Sequence, residues 1–280
     1  MLENVISIPI SNGMKVIQES LKEKYNPEGS ELRRYQLHLL DTLVEFDTFC
    51  KKNDIQYYLA YGTLLGAIRH EGFIPWDDDA DLWMDRENYE KLEKLMHGEH
   101  HVLTDKLSVA MGIRPELYSP PYACIDIFII DACPNSNILA KIKEWLIRFV
   151  YVMIKLRGRH GTANYGRYRK GIFMLPLALC CTIDQWKNIY KRVAQLFTPK
   201  GTYSTSRVQC YNETMSGLKR RYNTNDLCCA PAYAKFEGHL FPIPAKYDAI
   251  LRVCYGNYMQ IPDNTHIHVH NIIKEIEVVK

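Results

Sequence analysis

The pattern of apolar positions divides the early part of the chain into alternating helices and strands. Apolar residues first recur three and four positions apart, which predicts an amphipathic helix from Ser30, as its N-cap, to about Lys52. Two short apolar runs follow, Ile55–Tyr61 and Ala80–Met84, and both predict strands. A short helix over about 64–69 is expected between them. The order is therefore helix, strand, helix, strand.

The later elements are predicted from weaker patterns. A strand over Tyr122–Ile130 is the strongest, with Asp126 alone among apolar neighbours and with Asp131 and Pro134 at its end. The other expectations are an edge strand at Val5–Ile10, helices over Met14–Tyr25, 86–96 (capped by Asp85), 138–157, Ile183–Phe197 and Tyr247–Cys254, strand and turn over 101–113, a polar turn-rich stretch over 199–226, a strand over Lys235–Pro244, and a tail with His266, His268 and His270.

This order of elements predicts an α+β fold, with a mixed β-sheet core flanked by helices and with helical additions towards the C-terminus. We expect an N-terminal arm at 1–29, a core at 30–134 and an extension at 135–280 that completes the same compact unit. A length of 280 residues permits this as one large domain.

Composition excludes several classes of protein. Hydrophobic residues make up 47% of the chain and charged residues 24%, which is typical of a soluble globular protein. The net charge of +3 and the lack of a nucleic-acid motif argue against a nucleic-acid partner. No signal-peptide pattern or long uncharged stretch is evident, so we expect a cytoplasmic protein. The nine cysteines show no regular metal-binding spacing and are expected to be reduced thiols.

Charge is distributed unevenly along the chain. Lys and Arg are frequent and acids rare from 139 to 170, whereas acids crowd the early half. An amphipathic helix with solvated cations explains the basic stretch. Peripheral contact with an anionic membrane surface is the alternative.

Four carboxylates stand within five residues, at Asp77, Asp78, Asp79 and Asp81. Carboxylates this dense repel one another, so folding them together is costly unless a cation lies between them. Asp79 and Asp81 are two positions apart, and on a strand such side chains share a face. If the strand with Asp126 lies beside theirs, Asp126 supplies a third ligand. The three acids therefore predict a site for Mg²⁺ or Mn²⁺ of the kind used in displacement at phosphorus.

Two other readings of the acids explain less. An EF-hand that starts at Asp77 is excluded, because its sixth position is Leu82 and its twelfth is Asn88. A plain acidic surface turn accounts for Asp77 and Asp78, but not for Asp126 as well.

A phosphate-binding turn is predicted before the acids. Gly62-Thr63 stands where a strand gives way to a helix, and backbone N–H groups at a helix N-terminus point at anions. Arg69 and His70 are candidates to neutralise charge on the phosphates.

The segment GTLLGAIRHEGFIPWDDDAD, residues 62–81, resembles the signature of the LicD family. That family is similar to the polymerase-β-like nucleotidyltransferases and includes relatives of fukutin-related protein. The superfamily pattern is a Gly-Ser or Gly-Thr turn, a DxD strand and a later strand Asp, which fall here on Gly62-Thr63, Asp79, Asp81 and Asp126. A helix with Leu32, Gln36 and Leu40 and the segment 236–262 are also similar, although Asn257 stands where the family commonly has Asp.

The resemblance implies a nucleotidyltransferase-like core and a metal-dependent phosphotransferase with Mg²⁺ or Mn²⁺ as its cofactor. Such an enzyme moves a phospho-substituent, phosphocholine for example, from a CDP-linked donor to a hydroxyl of a cell-surface glycan or lipid-linked saccharide, and releases CMP. Lipopolysaccharide, capsule and teichoic acid are glycans of this kind. Asp79, Asp81 and Asp126 would be the catalytic and metal-binding residues. Asp81 or Asp126 would orient the acceptor hydroxyl and take its proton, in a protein that works at the inner face of the membrane.

Other residues near the acids are assigned to the donor head group or to support. Asp77 and Asp78 would extend the metal site or hold a choline cation. Trp76 and Trp83 flank the acids as wall residues or as cation–π partners of a quaternary ammonium. Glu237 is a pocket residue or a surface charge.

Two other functions remain open from the sequence. One is a nucleotidyltransferase that acts on an NTP and releases pyrophosphate. The other is an inactive module that binds a glycan or a nucleotide, which the presence of all three acids disfavours.

Overall fold

The computed structural model describes residues 4–6, 12–95, 109–111, 125–159, 173–196, 206–211 and 220–261. The chain divides into two compact units. Unit 1 is residues 1–130 and 224–280, and unit 2 is residues 131–223. The sequence predicted one extension from 135 onwards, whereas in the structure the part from 224 belongs with unit 1. The tail with His266, His268 and His270 and most of the predicted strand and turn over 101–113 lie outside the described residues.

A mixed β-sheet in unit 1 carries the acidic strands. β3, Ala80–Asp85, lies between β2, Tyr58–Leu59, which is antiparallel to it, and β5, Ile125–Cys133, which is parallel to it. β4, Val109–Met111, pairs antiparallel with β5. The residues of β3 from 80 to 84 are all buried, so both faces of this strand are covered, as its continuous apolar run indicates. This confirms the mixed α+β class expected from the sequence.

β2 is shorter than predicted, and β5 ends three residues later than predicted. The ladder of β2 covers two residues of the predicted strand, because the chain turns into a helix at Tyr61, where φ is 38°. β5 continues through Asp131, which was expected to end it. Asp131 is 1% exposed, so the strand stays inside the protein until Pro134 follows it.

A second, smaller sheet comes from the two ends of unit 1. β8, Pro231–Phe236, and β9, His239–Pro244, form an antiparallel hairpin, and β1, Val5–Ile6, pairs parallel with β8. The sequence predicted a single strand over Lys235–Pro244. The Glu237-Gly238 pair between the strands has positive φ at both positions, 48° and 82°, which is the geometry of a tight hairpin turn.

Two helices of unit 1, the ones that follow Ser30 and Asp85, begin at side chains that the sequence identified as caps. Ser30 Oγ accepts a hydrogen bond from the Arg33 N–H at 3.1 Å, and Asp85 Oδ1 accepts one from the Asn88 N–H at 2.7 Å. Each bond satisfies a donor that a helix N-terminus leaves without an intrahelical partner. The helices are α1, Asn12–Tyr25, α2, Glu31–Lys52, α3, Tyr61–His70, α4, Arg86–Leu95, α8, Thr224–Leu227, and α9, Tyr247–Tyr255.

Unit 2 is built on one long helix. α5, Asn137–Arg159, packs against α6, Leu175–Leu179, and α7, Ile183–Ala194. β6, Arg207–Cys210, pairs antiparallel with β7, Tyr222–Asn223. The sequence predicted α5 and α7, but not α6, β6 or β7. No helix in the described part of the chain is long and apolar enough to cross a membrane.

A buried cation stabilises the inner face of α5. Lys143 has no exposed surface, and its Nζ donates to the Ala132 carbonyl at 2.9 Å. The same Nζ lies 4.2 Å from the centre of the Tyr211 ring, in a cation–π contact. Glu144 on the same helix forms an ion pair of 2.8 Å with Arg221. The eight cysteines that the structure describes are all free thiols, and three of them are buried.

Candidate active site

Asp81 and Asp126 occupy facing positions on neighbouring strands. β3 and β5 run parallel, and their register places Asp81 opposite Asp126 and Trp83 opposite Phe128. Residues opposite each other in a ladder point to the same face of the sheet, so both carboxylates share one face near the start of their strands. Asp81 is 9% exposed and Asp126 is half-buried. The adjacency on which the third predicted ligand depended is therefore present.

Asp79 precedes β3 and is half-buried, while Asp78 beside it is 1% exposed. Across the residues that the structure describes, no three His, Cys, Asp or Glu side chains are placed to hold a metal ion together. The structure thus brings Asp81 and Asp126 to one place, and the complete set of three ligands stays a prediction.

The first turn of α3 fixes the backbone of Asp81. Thr63 Oγ1 accepts a hydrogen bond from the Asp81 N–H at 2.8 Å, and the Ala60 N–H donates to the Asp81 carbonyl at 2.9 Å. α3 begins at Tyr61, earlier than the predicted Leu64, so Gly62 and Thr63 lie inside the helix. Thr63 is 3% exposed. The Gly-Thr pair therefore positions an acidic residue, and its contact with phosphate stays a prediction.

Gly62 leaves room for the carboxylate of Asp77. A Cβ atom at position 62 would lie 2.7 Å from Asp77 Oδ2, closer than such contacts occur. The Asp77 carboxylate therefore packs against the backbone at the N-terminus of α3, where the helix dipole favours negative charge. An acidic side chain thus lies beside the turn that the sequence assigned to phosphate.

The sequence around the acids is similar to that of known proteins. The family model of the LicD/FKTN/FKRP nucleotidyltransferase domain matches residues 54–114, which include the Gly-Thr turn and the acids of β3. This match places a LicD-type nucleotidyltransferase domain at residues 54–114. It is 28% identical over 260 residues to the lipopolysaccharide cholinephosphotransferase LicD of Haemophilus influenzae, an alignment that covers 86% of this chain and 96% of that protein. An uncharacterized protein of Rickettsia prowazekii is 30% identical over 139 residues, or 49% of this chain and 44% of the relative.

A cluster of three aromatic side chains lies on the sheet face that carries Asp81 and Asp126. The Tyr61 ring lies 4.8 Å from that of Trp83 and 4.9 Å from that of Phe128, between ring centres, and both pairs are edge-to-face. Trp83 is fully buried, whereas Phe128 is half-buried. The sequence singled out Trp83 but missed Tyr61 and Phe128. Phe128 stands two residues after Asp126 on a predicted strand, and this spacing could have placed it on the same face as Asp126.

Gln36 positions the loop before the acids, a role that the sequence did not reveal. It lies on α2 with no exposed surface, and its Nε2 donates to the Asp77 carbonyl at 2.9 Å. The same nitrogen is 3.4 Å from the Ile74 carbonyl, and Oε1 accepts from Asn26 Nδ2 at 2.8 Å. In the sequence, the only sign of this role was that Gln36 is a polar residue on the apolar side of a predicted helix. Its partner, 41 positions away, was not visible in the pattern.

Arg69 and His70 are buried at the end of α3. Arg69 Nη1 donates to the carbonyls of Tyr258, at 2.7 Å, and Gln260, at 3.3 Å, while its Nε donates to His70 Nε2 at 3.0 Å. Burial lowers the pKa of Arg69 to about 10, against a smaller opposing effect of Tyr255. These contacts hold the segment after α9 against α3, and a role on phosphate stays a prediction.

Trp76 and Glu237 also make contacts within unit 1. The Trp76 ring is 8% exposed and lies edge-to-face with Tyr25, with 5.5 Å between ring centres. Glu237 pairs with Arg33 Nη2 at 2.8 Å and accepts from the Phe73 N–H at 3.1 Å. Burial raises the pKa of Glu237, but the bonds from Arg33 and Phe73 outweigh it and lower the pKa overall. Both residues support the loop that leads to the acids, and neither assignment to the donor head group is tested by these contacts.

A cavity of about 570 Å³ lies elsewhere in unit 1. Residues at the end of α2, just before β2 and at the start of α4 line it, among them Lys51, Tyr57 and Asn88. None of the predicted site residues is among its lining residues. The start of α4 follows the far end of β3, so this cavity is separate from the carboxylates.

Proposed function

We propose that this chain transfers a phospho-substituent from a CDP-linked donor to a hydroxyl of a surface glycan and releases CMP. The observation that carries the proposal is the register of Asp81 with Asp126 on neighbouring strands next to the Gly-Thr turn of a LicD-type domain. The relative from Haemophilus influenzae supports phosphocholine as the substituent and lipopolysaccharide as the kind of acceptor.

A divalent cation fits this pair of carboxylates. Asp81 is nine-tenths buried and faces a second carboxylate, and two like charges so placed are costly unless a cation neutralises them. Carboxylate oxygens are the ligands that Mg²⁺ and Mn²⁺ prefer. We propose that Asp81 and Asp126 hold the cation, with Asp79 as the third ligand. When bound, the cation neutralises the donor diphosphate and polarises its oxygens.

The two carboxylates differ in exposure, and this separates their roles. Asp81 is almost covered, whereas Asp126 is half-buried and accessible to an incoming hydroxyl. Asp126 is therefore the base in this proposal. It orients the acceptor hydroxyl and takes its proton as the oxygen attacks the phosphorus that carries the substituent, while the bond from that phosphorus to CMP breaks.

Phe128 is the proposed wall for the donor head group. It stands two residues after Asp126 on the same face, and its ring is half-buried beside Tyr61. An aromatic face next to carboxylates attracts a quaternary ammonium. Trp83, the residue that the sequence suggested, is fully buried, so it supports Phe128 and does not meet the ligand itself.

A donor screen tests the proposal. Purified protein with Mg²⁺ is given CDP-choline, CDP-ethanolamine, CDP-ribitol or CDP-glycerol, together with a lipopolysaccharide or teichoic acid acceptor, and CMP is measured. We expect CMP release that depends on the acceptor, with CDP-choline as the best donor. Pyrophosphate release from an NTP would instead establish a nucleotidyltransferase. A folded protein that binds a donor but turns over none would establish the inactive module.

A further inference from the structure

Unit 2 carries a strong positive charge. Residues 131–223 contain 17 Lys and Arg against four Asp and Glu, a net charge of +13. The whole chain has a net charge of +3, so the remaining residues together carry −10. A charge of this size confined to one unit attracts polyanions and anionic surfaces.

An apolar stripe runs along the outer side of α5. Ile138 is 72% exposed, Ile142 is 47% exposed and Trp145 is 63% exposed, and half-buried Phe149 stacks on Trp145 with ring centres 5.8 Å apart. Their spacing of four, three and four positions places these residues on one side of the helix. We call these four residues the α5 stripe.

The α5 stripe faces away from the core of unit 2. Residues at similar spacing on the other side of the helix are buried, namely Ala140, Lys143, Ile147, Val150 and Ile154. The neighbouring α6 also exposes Leu177 and Leu179, at 47% and 42%. A helix that is apolar on both sides needs a second apolar environment beyond its own core.

A row of cations runs beside the α5 stripe and continues past its end. Lys141, Arg148 and Lys155 recur every seven positions, which places them in one row on the helix, with Lys141 and Arg148 beside the stripe and Lys155 beyond it. Long basic side chains beside an apolar helix face can extend to lipid headgroups while the apolar residues enter the acyl boundary.

We propose that unit 2 attaches this protein to an anionic lipid surface, with α5 lying in the plane of the surface and its stripe inserted. Association through this face with a second copy is disfavoured, because it would bring together two units that each carry +13. A bilayer with anionic headgroups matches both the apolar stripe and the charge. The attachment does not depend on the proposed transfer reaction, and its test uses no turnover.

Vesicle binding tests this proposal with the full chain. Vesicles of phosphatidylglycerol and phosphatidylcholine are compared with phosphatidylcholine alone by co-sedimentation. We expect binding to the anionic vesicles that high salt weakens. The other tryptophans, Trp76, Trp83 and Trp186, are buried, so a blue shift of the emission reports insertion of Trp145. Trp145→Phe should bind as the wild type does and lose the shift.

Matched variants separate this surface from the rest of the molecule. The double variant Ile142→Ser/Trp145→Ser is expected to lower vesicle affinity at least about tenfold. Its control, Val16→Ser/Val253→Ser, changes two apolar side chains that are 66% and 50% exposed in unit 1, and should bind as the wild type does. Lys141→Glu should weaken binding to anionic vesicles more than Lys94→Glu, which makes the same charge change in unit 1.

Three results would overturn the proposal. One is wild-type binding that is absent or equal on neutral and anionic vesicles. The second is an equal loss of binding in the stripe variant and its control. The third is a dimer in sedimentation experiments that Ile142→Ser/Trp145→Ser converts to a monomer, because the stripe would then be an interface between copies of the chain.

Discussion

The hydroxyl of Thr63 joins α3 to the strand that carries Asp81, because Oγ1 accepts the Asp81 N–H at 2.8 Å. Thr63→Val keeps the shape of the side chain but leaves that buried donor without its acceptor. We expect this change to lower the free energy of unfolding by about 1–3 kcal/mol and to reduce kcat. Thr63→Ser keeps the hydroxyl and should stay close to wild type. Urea denaturation and steady-state kinetics measure the two effects.

The kinetic constants distinguish this role from phosphate binding. If Thr63 contacts the donor phosphates directly, Thr63→Val raises the KM for the donor and leaves stability unchanged. That outcome would mean that the bond to Asp81 is dispensable.

The buried side chain of His70 makes the free energy of unfolding depend on pH. Burial, and then the charges of Arg69 and Lys22, lower its pKa from 6.5 to about 3. The folded protein therefore keeps His70 neutral, while the unfolded chain binds a proton as the pH falls below 6.5. This contribution to stability is complete above that pH and is lost as the pH falls towards 3.

His70→Gln isolates the titration. The glutamine Oε1 can accept from Arg69 Nε as His70 Nε2 does, but it does not titrate. Between about pH 7 and about pH 5, the wild type should lose roughly 2 kcal/mol more of its free energy of unfolding than the variant. Urea denaturation at each pH measures this difference. Parallel stability curves would show that His70 titrates normally.

At the scale of elements, the end of α3 depends on the close approach of two glycines. A Cβ at Gly66 would lie 2.4 Å from the backbone oxygen of Gly72, whereas a Cβ at Gly62 meets only the side chain of Asp77, at 2.7 Å. Gly66→Ala must shift backbone and should cost about 1–3 kcal/mol of stability. Gly62→Ala requires only Asp77 to rotate, so its stability should change little.

Thermal and urea denaturation of the two variants check this contrast. The same pair tests Asp77, because Gly62→Ala displaces its carboxylate in a protein that remains folded, and we expect its turnover to fall. Equal stability of the two variants would show that the contact between Gly66 and Gly72 is loose.

The sequence predicted those elements whose own residues show a sustained apolar pattern or an N-cap. α2 was predicted from its periodicity and Ser30, and β3 from its apolar run after the acids. The hairpin of β8 and β9 was missed, because the positive φ of Glu237 depends on distant partners, Arg33 and the Phe73 N–H. β6 and β7 are short and become strands by pairing with neighbouring strands, so a local pattern could not reveal them.

At the scale of the whole molecule, the sequence identified which residues belong to the candidate site, but not how they are arranged relative to one another. The sequence placed Asp126 beside Asp81 only on the condition that their strands were neighbours, and the register provides that condition. It could not show that Arg69 is engaged by carbonyls 189 and 191 positions away. Partners at such separations are determined by packing, so they become visible only in the folded structure.

The division of charge between the two units also belongs to this scale. The net charge of +3 concealed a unit of +13, because the boundaries of unit 2 are a property of the fold. The basic stretch seen in the sequence, 139–170, is part of that unit.

The central claim is that Asp126 and Asp81 act together in metal-dependent transfer from a CDP-linked donor. Acceptor-dependent CMP release, with Mg²⁺ and the best donor of the screen, tests it most directly in wild type, Asp126→Asn and Asp54→Asn. The control residue Asp54 has a fully exposed side chain, at 106%, and its φ of 52° suits asparagine. We predict that Asp126→Asn folds normally and loses at least about 100-fold in kcat, whereas Asp54→Asn matches wild type. Wild-type CMP release by Asp126→Asn would contradict the account.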